Sequence, residues 1–129
     1  MKYLLVLVML TASPAWADWK FVTGNESKGT EFFIETDGIR REGNFVRVWE
    51  LTNYLTPRVL NKIEFLSMRS RVEYDCKQDR SKTHSISIFA NLYARDLIQT
   101  ESLTQSWEDV PPRTIQWDLL QSVCKASAR

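Results

Sequence analysis

Hydrophobic and polar residues alternate along much of the chain with a period of two, which is typical of half-buried β-strands. The clearest run extends from Lys62 to Lys77. Its inward positions are Leu66, Met68, Ser70, Val72, Tyr74 and Cys76, and its charged positions are Arg69, Arg71, Glu73, Asp75 and Lys77. Because successive side chains of a strand point to opposite faces, the pattern predicts one mainly apolar face and one charged face, which we expect to be solvated.

Five further segments carry strand signals. Trp19 to Val22 and Glu31 to Glu35 flank the polar loop Gly24 to Thr30, and the two are predicted to form a hairpin. The short segment Asp37 to Gly43 has turn residues at both ends and is predicted as a turn. The remaining predicted strands are Phe45 to Tyr54, Thr83 to Tyr93 with Ile86, Ile88 and Ala90 on one side, and a weaker one at Leu97 to Thr104.

After a double proline the period becomes helical. Residues 113–125 are predicted to form an amphipathic helix with the prolines at its start. Such a helix needs an apolar surface to cover, and the inner face of the Lys62 to Lys77 strand supplies one. We therefore expect an α+β fold, an antiparallel sheet of about six strands with a C-terminal helix packed on one face. The prolines and the helix's apolar residues are Pro111, Pro112, Ile115, Leu119, Leu120 and Val123.

The N-terminus has the order of a cleavable signal peptide. Lys2 supplies a positive charge, Tyr3 to Leu10 an apolar core, and Ala15 to Ala17 a small-residue cleavage site. The apolar run is far shorter than the roughly 20 residues of a membrane-spanning helix. We expect residues 1–17 to be removed and residues 18–129 to form one exported domain without a transmembrane segment; the alternative is that the run is a buried first strand or helix.

The charge balance excludes some partners. Without Lys2, the exported chain has sixteen basic and sixteen acidic side chains. Nucleic-acid binding and strong attraction to anionic membranes normally show as a basic excess. We therefore expect no nucleic-acid partner.

Cys76 and Cys124 are the two cysteines of the chain. In an oxidising compartment such a pair usually forms a disulfide, which would pin the helix across the sheet. A reactive thiol is the alternative, but the sequence has no C-x-x-C motif. We expect the disulfide.

Other candidate chemistry is sparse. Gly24 and Gly29 have phosphate-loop spacing, but the lysine that should follow is missing and the stretch lies between strands. His84 is the one histidine of the chain, so a metal site is not expected. The carboxylates suggest no acid–base pair. We expect no catalytic residues, no metal, no cofactor and no enzyme activity.

Two sets of residues are candidates for binding a partner. Tryptophan and arginine are enriched at binding hot spots. The tryptophans Trp19, Trp49, Trp107 and Trp117 are either core residues or exposed anchors. Arg40 and Arg41, in a turn at a sheet edge and close to Phe45 in sequence, form the best exposed basic pair. Arg40, Arg41 and Phe45 are our candidate binding residues.

Several blocks resemble a known family. They include Phe33-Ile34-Glu35, the stretch from Ile39 to Leu51 with its RVWEL block, and the EYDC block from Glu73 to Cys76. Near the end, Trp107, then Val110-Pro111-Pro112, a helix and Cys124 continue the likeness. Together with Trp19 and Lys20, these resemble the surface-adhesin protein E family of small exported proteins in Gram-negative bacteria.

The resemblance implies an antiparallel sheet with a C-terminal helix tied down by a disulfide. It also implies binding to host matrix or serum proteins. The namesake type is a lipoprotein, whereas this chain has Asp18 where the lipid-bearing cysteine would stand. We therefore expect an exported binding domain, in the periplasm or at the cell surface; the alternative is a periplasmic enzyme or small-ligand carrier.

Overall fold

The computed structural model describes residues 18–127, so the expected signal peptide, residues 1–17, lies outside the described residues. Eight strands and one helix follow one another along this part of the chain, with a 3-10 turn at Glu26–Lys28 between the first two strands. The elements are β1 (Trp19–Asn25), β2 (Thr30–Glu35), β3 (Arg40–Glu42), β4 (Phe45–Leu60), β5 (Ile63–Asp75), β6 (Arg80–Asn91), β7 (Arg95–Ser102), β8 (Glu108–Asp109) and α1 (Ile115–Ala126).

All pairings in the sheet are antiparallel, and the main path runs β1-β2-β4-β5-β6-β7. The expectation of about six strands matches this path, but the sheet has eight strands. The short strand β3 pairs with the start of β4, and the two-residue β8 pairs with the start of β6. The segment Asp37 to Gly43, predicted as a turn, therefore contains a strand. Its three residues are too few to show a period in the sequence.

Helix α1 covers one face of the sheet, as the apolar spacing predicts. Its buried residues Leu119, Leu120 and Val123 join a core to which β2, β4 and β5 contribute. The helix begins after Thr114, whose hydroxyl accepts a hydrogen bond from the Trp117 backbone N–H at 3.1 Å. A side-chain cap of this kind satisfies one of the amide groups that a helix start leaves unpaired. The sheet side of the core contains Ile34, Val46, Val48, Val72 and Tyr74.

The disulfide between Cys76 and Cys124 ties the helix to the end of β5, with the two Cα atoms 5.8 Å apart. Cys76 also donates its backbone N–H to the carbonyl of Asn44 at 2.9 Å, so the cross-link sits beside the β3–β4 hairpin. The expected disulfide is present, and it holds α1 against the face that the helix covers.

Strand β4 continues six residues beyond its predicted end at Tyr54. The register of β4 against β5 shifts between Asn53 and Arg58, and Pro57 lies in this irregular stretch. Proline has no backbone N–H to donate, and at this position the sheet does not require one. Beyond the shift, Asn61 and Lys62 turn the chain with positive φ angles of 48° and 64°. Within residues 18–127 no helix is both long and apolar enough to span a membrane.

Candidate functional site

The face of the sheet opposite α1 is called here the open face. On β4 and β5 it carries the side chains that alternate with the core residues, among them Trp49 and Arg71. Antiparallel partners share a face, so the register places Trp49 beside Arg71 and Leu51 beside Arg69. Arg47 lies between Arg40 of β3 and Glu73 of β5. Three strands thus bring arginines around one tryptophan.

Two of these arginines stack on aromatic rings. The guanidinium carbon of Arg69 lies 4.7 Å from the ring centre of Trp49 and 5.4 Å from that of Phe89. The guanidinium carbon of Arg71 lies 5.0 Å from the same tryptophan. We call Arg71, Trp49, Arg69 and Phe89 the arginine stack. Cation–π contacts of this kind hold each guanidinium group over a ring face and restrict its orientation.

A depression of about 560 Å³ opens on this face beside the stack. Three arginines and three glutamates supply most of its lining. Arg47 lies 3.6 Å from a Glu73 oxygen, and the His84 Nε2 atom lies 2.8 Å from the same oxygen. The depression is therefore a charged surface feature. Its lining residues are Glu35, Gly38, Arg40, Glu42, Phe45, Arg47, Trp49, Arg71 and Glu73.

The electrostatics of the depression are uneven. The pKa of Arg71 is lowered, first by partial burial and then by repulsion from Arg47 and Arg40, while Glu35 acts in the opposite direction. An arginine retains its charge under such shifts. Besides burial, the charges that act on Arg71 are two arginines, which lower its pKa, and one glutamate, which acts more weakly in the opposite direction.

The structure divides the three candidate binding residues between two sides of the sheet. Arg40 and Phe45 line the depression, and the exposed ring of Phe45 lies 5.5 Å from that of Trp107. Arg41 pairs with the core residue Val46 and so lies on the helix side. Its guanidinium donates one hydrogen bond to the Ser127 hydroxyl and another to the Gly43 carbonyl, each at 3.0 Å.

The charged side of β5, expected to be solvated, is mostly half-buried. Asp75 departs furthest from the expectation, with only 2% of its surface exposed. Burial alone would raise its pKa, but the Arg80 guanidinium at 2.8 Å and the backbone N–H groups of Gln78 and Lys77 hold the pKa below its usual value. The expectation was wrong for Asp75 because a long arginine from β6 reaches across and covers it.

Sequence reasoning missed the arginine stack. Arg69 and Arg71 were assigned to a solvated surface, and for Trp49 the sequence left two interpretations open, a core residue or an exposed anchor for a partner. The sequence signal was the shared period of these two arginines, but only the β4–β5 register places them beside the tryptophan. All four tryptophans of residues 18–127 are half-buried; Trp117 packs against the core, whereas Trp107 faces the cations Arg80 and Lys82.

A buried acid on the helix side was also missed. Glu50 faces the core, where the hydroxyl of Tyr74 donates a hydrogen bond to its carboxyl group and accepts one from Gln116 of α1 at 2.8 Å. Burial raises the pKa of Glu50 to about 7, although the Tyr74 hydrogen bond opposes the shift. The group lies beneath the helix and away from the open face. It matters for stability rather than for a surface site.

Comparison with known proteins identifies the fold. A family model described as surface-adhesin protein E matches residues 19–125. Crystal form II of Haemophilus influenzae protein E is similar over 84% of this chain and 90% of that one, with 12% identity and a TM-score of 0.61. Protein E from non-typeable Haemophilus influenzae gives 10% identity and a TM-score of 0.53 over 81% of this chain and 75% of that one. A search of curated proteins found no match.

Proposed function

The chain belongs to the surface-adhesin protein E family, and from this we propose that it is an exported, non-enzymatic binding domain whose ligand is another protein. The family is one of adhesin-like surface proteins. The partner is a host matrix or serum protein, as the family implies, or a protein of the bacterial envelope.

The composition of the open face carries this proposal. Helix α1 and the disulfide occupy the other face, and on the open face Leu51 and Phe89 are buried, so a partner has room to dock around Trp49 and the depression. It presents Trp49 with Arg69 and Arg71, and Phe45 with Arg40 at its rim. Tryptophan and arginine are the residues most enriched among binding hot spots, because they combine a large contact area with directed hydrogen bonds. The arrangement supports recognition of a protein surface.

A pair of neighbouring substitutions tests the location of binding. Arg40→Ala removes a cation from the depression, whereas Arg41→Ala removes one from the helix side, one residue away. The exported protein is immobilised and exposed separately to serum, to solubilised extracellular matrix and to an envelope extract. Arg40→Ala should weaken capture of the retained partner, and Arg41→Ala should leave it unchanged. The opposite ranking would place the binding surface on the helix side, and no retained partner from any source would contradict the proposal.

Export and location are tested separately. We propose that cleavage after Ala17 releases a domain starting at Asp18, which intact mass spectrometry of the exported product measures directly. Fractionation combined with protease treatment of intact cells distinguishes the cell surface from the periplasm. Protein that is protected in intact cells and found only in the periplasmic extract would reject a role in adhesion to host material and leave an envelope partner.

One observation favours the alternative of a small-ligand carrier or enzyme. The depression of about 560 Å³ falls within the usual size range of ligand pockets, roughly 300–1,000 Å³. Its lining is mainly charged, whereas such pockets are predominantly apolar. Within residues 18–127 no group of three potential metal ligands converges. A thermal-shift screen against small anions and metabolites tests this alternative, and a saturable shift abolished by Trp49→Ala would favour it over the protein partner.

A further inference from the structure

We propose that the arginine stack is a receptor for carboxylates, and that it binds an extended segment of a partner protein with acidic side chains at alternate positions. This inference rests on the proposed function in taking the partner to be a protein. It adds the chemical class of the segment that the open face recognises.

The stack leaves hydrogen-bond donors available. Each guanidinium carbon lies over the Trp49 ring, at 4.7 Å for Arg69 and 5.0 Å for Arg71, and the N–H donors of a guanidinium group lie in its own plane. Among residues 18–127, neither arginine forms an ion pair with a carboxylate. The Nε atom of Arg69 is buried, so an incoming carboxylate would meet the terminal NH₂ groups of this side chain. A planar group with free in-plane donors matches the two oxygens of a carboxylate.

The surrounding charges favour an incoming anion. The nearest acid on β5, Glu73, is already shared between Arg47 and His84. Arg47 and Arg40 repel the Arg71 guanidinium, and Glu35 offsets them only in part. A carboxylate placed against Arg71 would relieve this repulsion. A cation placed there would add to it.

The spacing of the two arginines selects an extended ligand. Arg69 and Arg71 are two residues apart on β5 and lie on the same face, so their Cα atoms are separated by roughly 6.5–7 Å. An extended peptide repeats its side-chain direction over the same distance. Acidic residues at positions i and i+2 of such a segment can therefore reach both guanidinium groups, whereas adjacent acidic residues point to opposite sides.

Three synthetic peptides test the receptor against the disulfide-bonded exported protein. The first alternates Glu with Thr, the second has Gln in place of every Glu, and the third contains the same number of Glu residues placed as adjacent pairs. Binding is measured by fluorescence anisotropy, with quenching of tryptophan emission as a second readout. The alternating Glu peptide should bind about tenfold or more tightly than the Gln peptide, because hydrogen bonds between charged groups are stronger than neutral ones.

Matched substitutions locate the effect. Arg71→Lys keeps the charge but loses the planar fork, and it should weaken binding of the alternating peptide about tenfold. Arg69→Lys should weaken binding in the same way, and its thermal midpoint shows whether it is folded. If Arg69→Lys does not fold, Arg71→Lys carries the test. Arg41→Lys on the helix side is the control and should bind as the unmodified protein does.

The inference fails if the Glu and Gln peptides bind equally, if the spacing of Glu has no effect, or if Arg41→Lys weakens binding as much as Arg71→Lys. The proposed function is judged by a different result. If a captured serum, matrix or envelope protein binds Arg71→Lys unchanged, protein binding stands and the carboxylate receptor is wrong. If the peptides bind as expected but no protein is captured, the receptor stands and the proposed function is wrong.

Discussion

Replacing the buried acid Glu50 with glutamine should change how the stability of the protein depends on pH. Glu50 lies under α1, with its carboxyl group bonded to the Tyr74 hydroxyl. Glutamine has the same shape, and its carbonyl oxygen can still accept the Tyr74 hydrogen bond. It cannot ionise. The substitution therefore removes the titration while preserving the packing and this contact.

The magnitude follows from the pKa of Glu50, which burial raises from 4.5 to about 7. The folded protein holds this proton more tightly than the unfolded chain, so the free energy of unfolding falls as pH rises from 4.5 through about 7. At about 1.4 kcal/mol per pH unit, the full loss is on the order of 3 kcal/mol. The contribution is fully present below pH 4.5 and is lost above pH 7.

Urea denaturation at half-unit steps from pH 4.5 to pH 8.5 measures this loss. The unmodified protein should lose stability across the range, whereas Glu50→Gln should give a flatter profile and be the more stable of the two at pH 8. Glu64→Gln, an exposed acid on the neighbouring strand β5, is the matched control and should follow the unmodified protein. If Glu50→Gln and the unmodified protein give parallel profiles, Glu50 titrates as an ordinary surface acid and the reasoning is refuted.

Three further predictions concern the contacts that hold the domain together, each checked by denaturation. Cys124→Ser opens a disulfide between residues 48 positions apart and should cost about 4 kcal/mol on the chain-entropy model; a loss below 1 kcal/mol would show that the helix is held without it. Thr114→Ala removes the helix cap and should cost about 1 kcal/mol, while Thr114→Ser should restore most of it. Asp75 has a lowered pKa and so contributes stability that is present above its usual pKa of 3.8 and lost as pH falls. Asp75→Asn should therefore flatten the decline in acid, and an unchanged decline would assign it to other carboxylates.

The sequence predicted the elements best where one face of a segment is buried along its whole length. Strand β5 was identified nearly to its ends, because Arg69 to Asp75 keep a period of two. In its first half the buried residues are Phe65 and Ser67, and Leu66 and Met68, predicted to face inward, are only half-buried. Helix α1 was equally clear, since Leu119 and Val123 repeat at helical spacing. The prediction failed where an element is very short, as in β3, and where Pro57 obscured the continuation of β4 past Tyr54. For β3 the local signal was a turn signal, and pairing with β4 overrode it.

The candidate site was only partly accessible to sequence reasoning. Arg40 and Phe45 were named as candidate binding residues, and both line the depression. Arg41 was grouped with Arg40 because the two are adjacent in sequence, yet adjacency within a strand places side chains on opposite faces. Had the segment been recognised as a strand, the sequence alone would have separated them.

By itself, the sequence determined the features that depend on local period and on chain chemistry. These are the strand and helix repeats, the near balance of 17 basic and 16 acidic side chains, and the pairing of the two cysteines. The tertiary structure decided which residues meet across strands. Trp49, Arg69 and Phe89 come from three strands and are brought together only by the register of β4, β5 and β6. The physical reason is that an alternating pattern specifies which face of the sheet a residue occupies but not which residue lies beside it on the next strand. If the register shifted by two residues, the same face would stay buried, but every cross-strand neighbour would change.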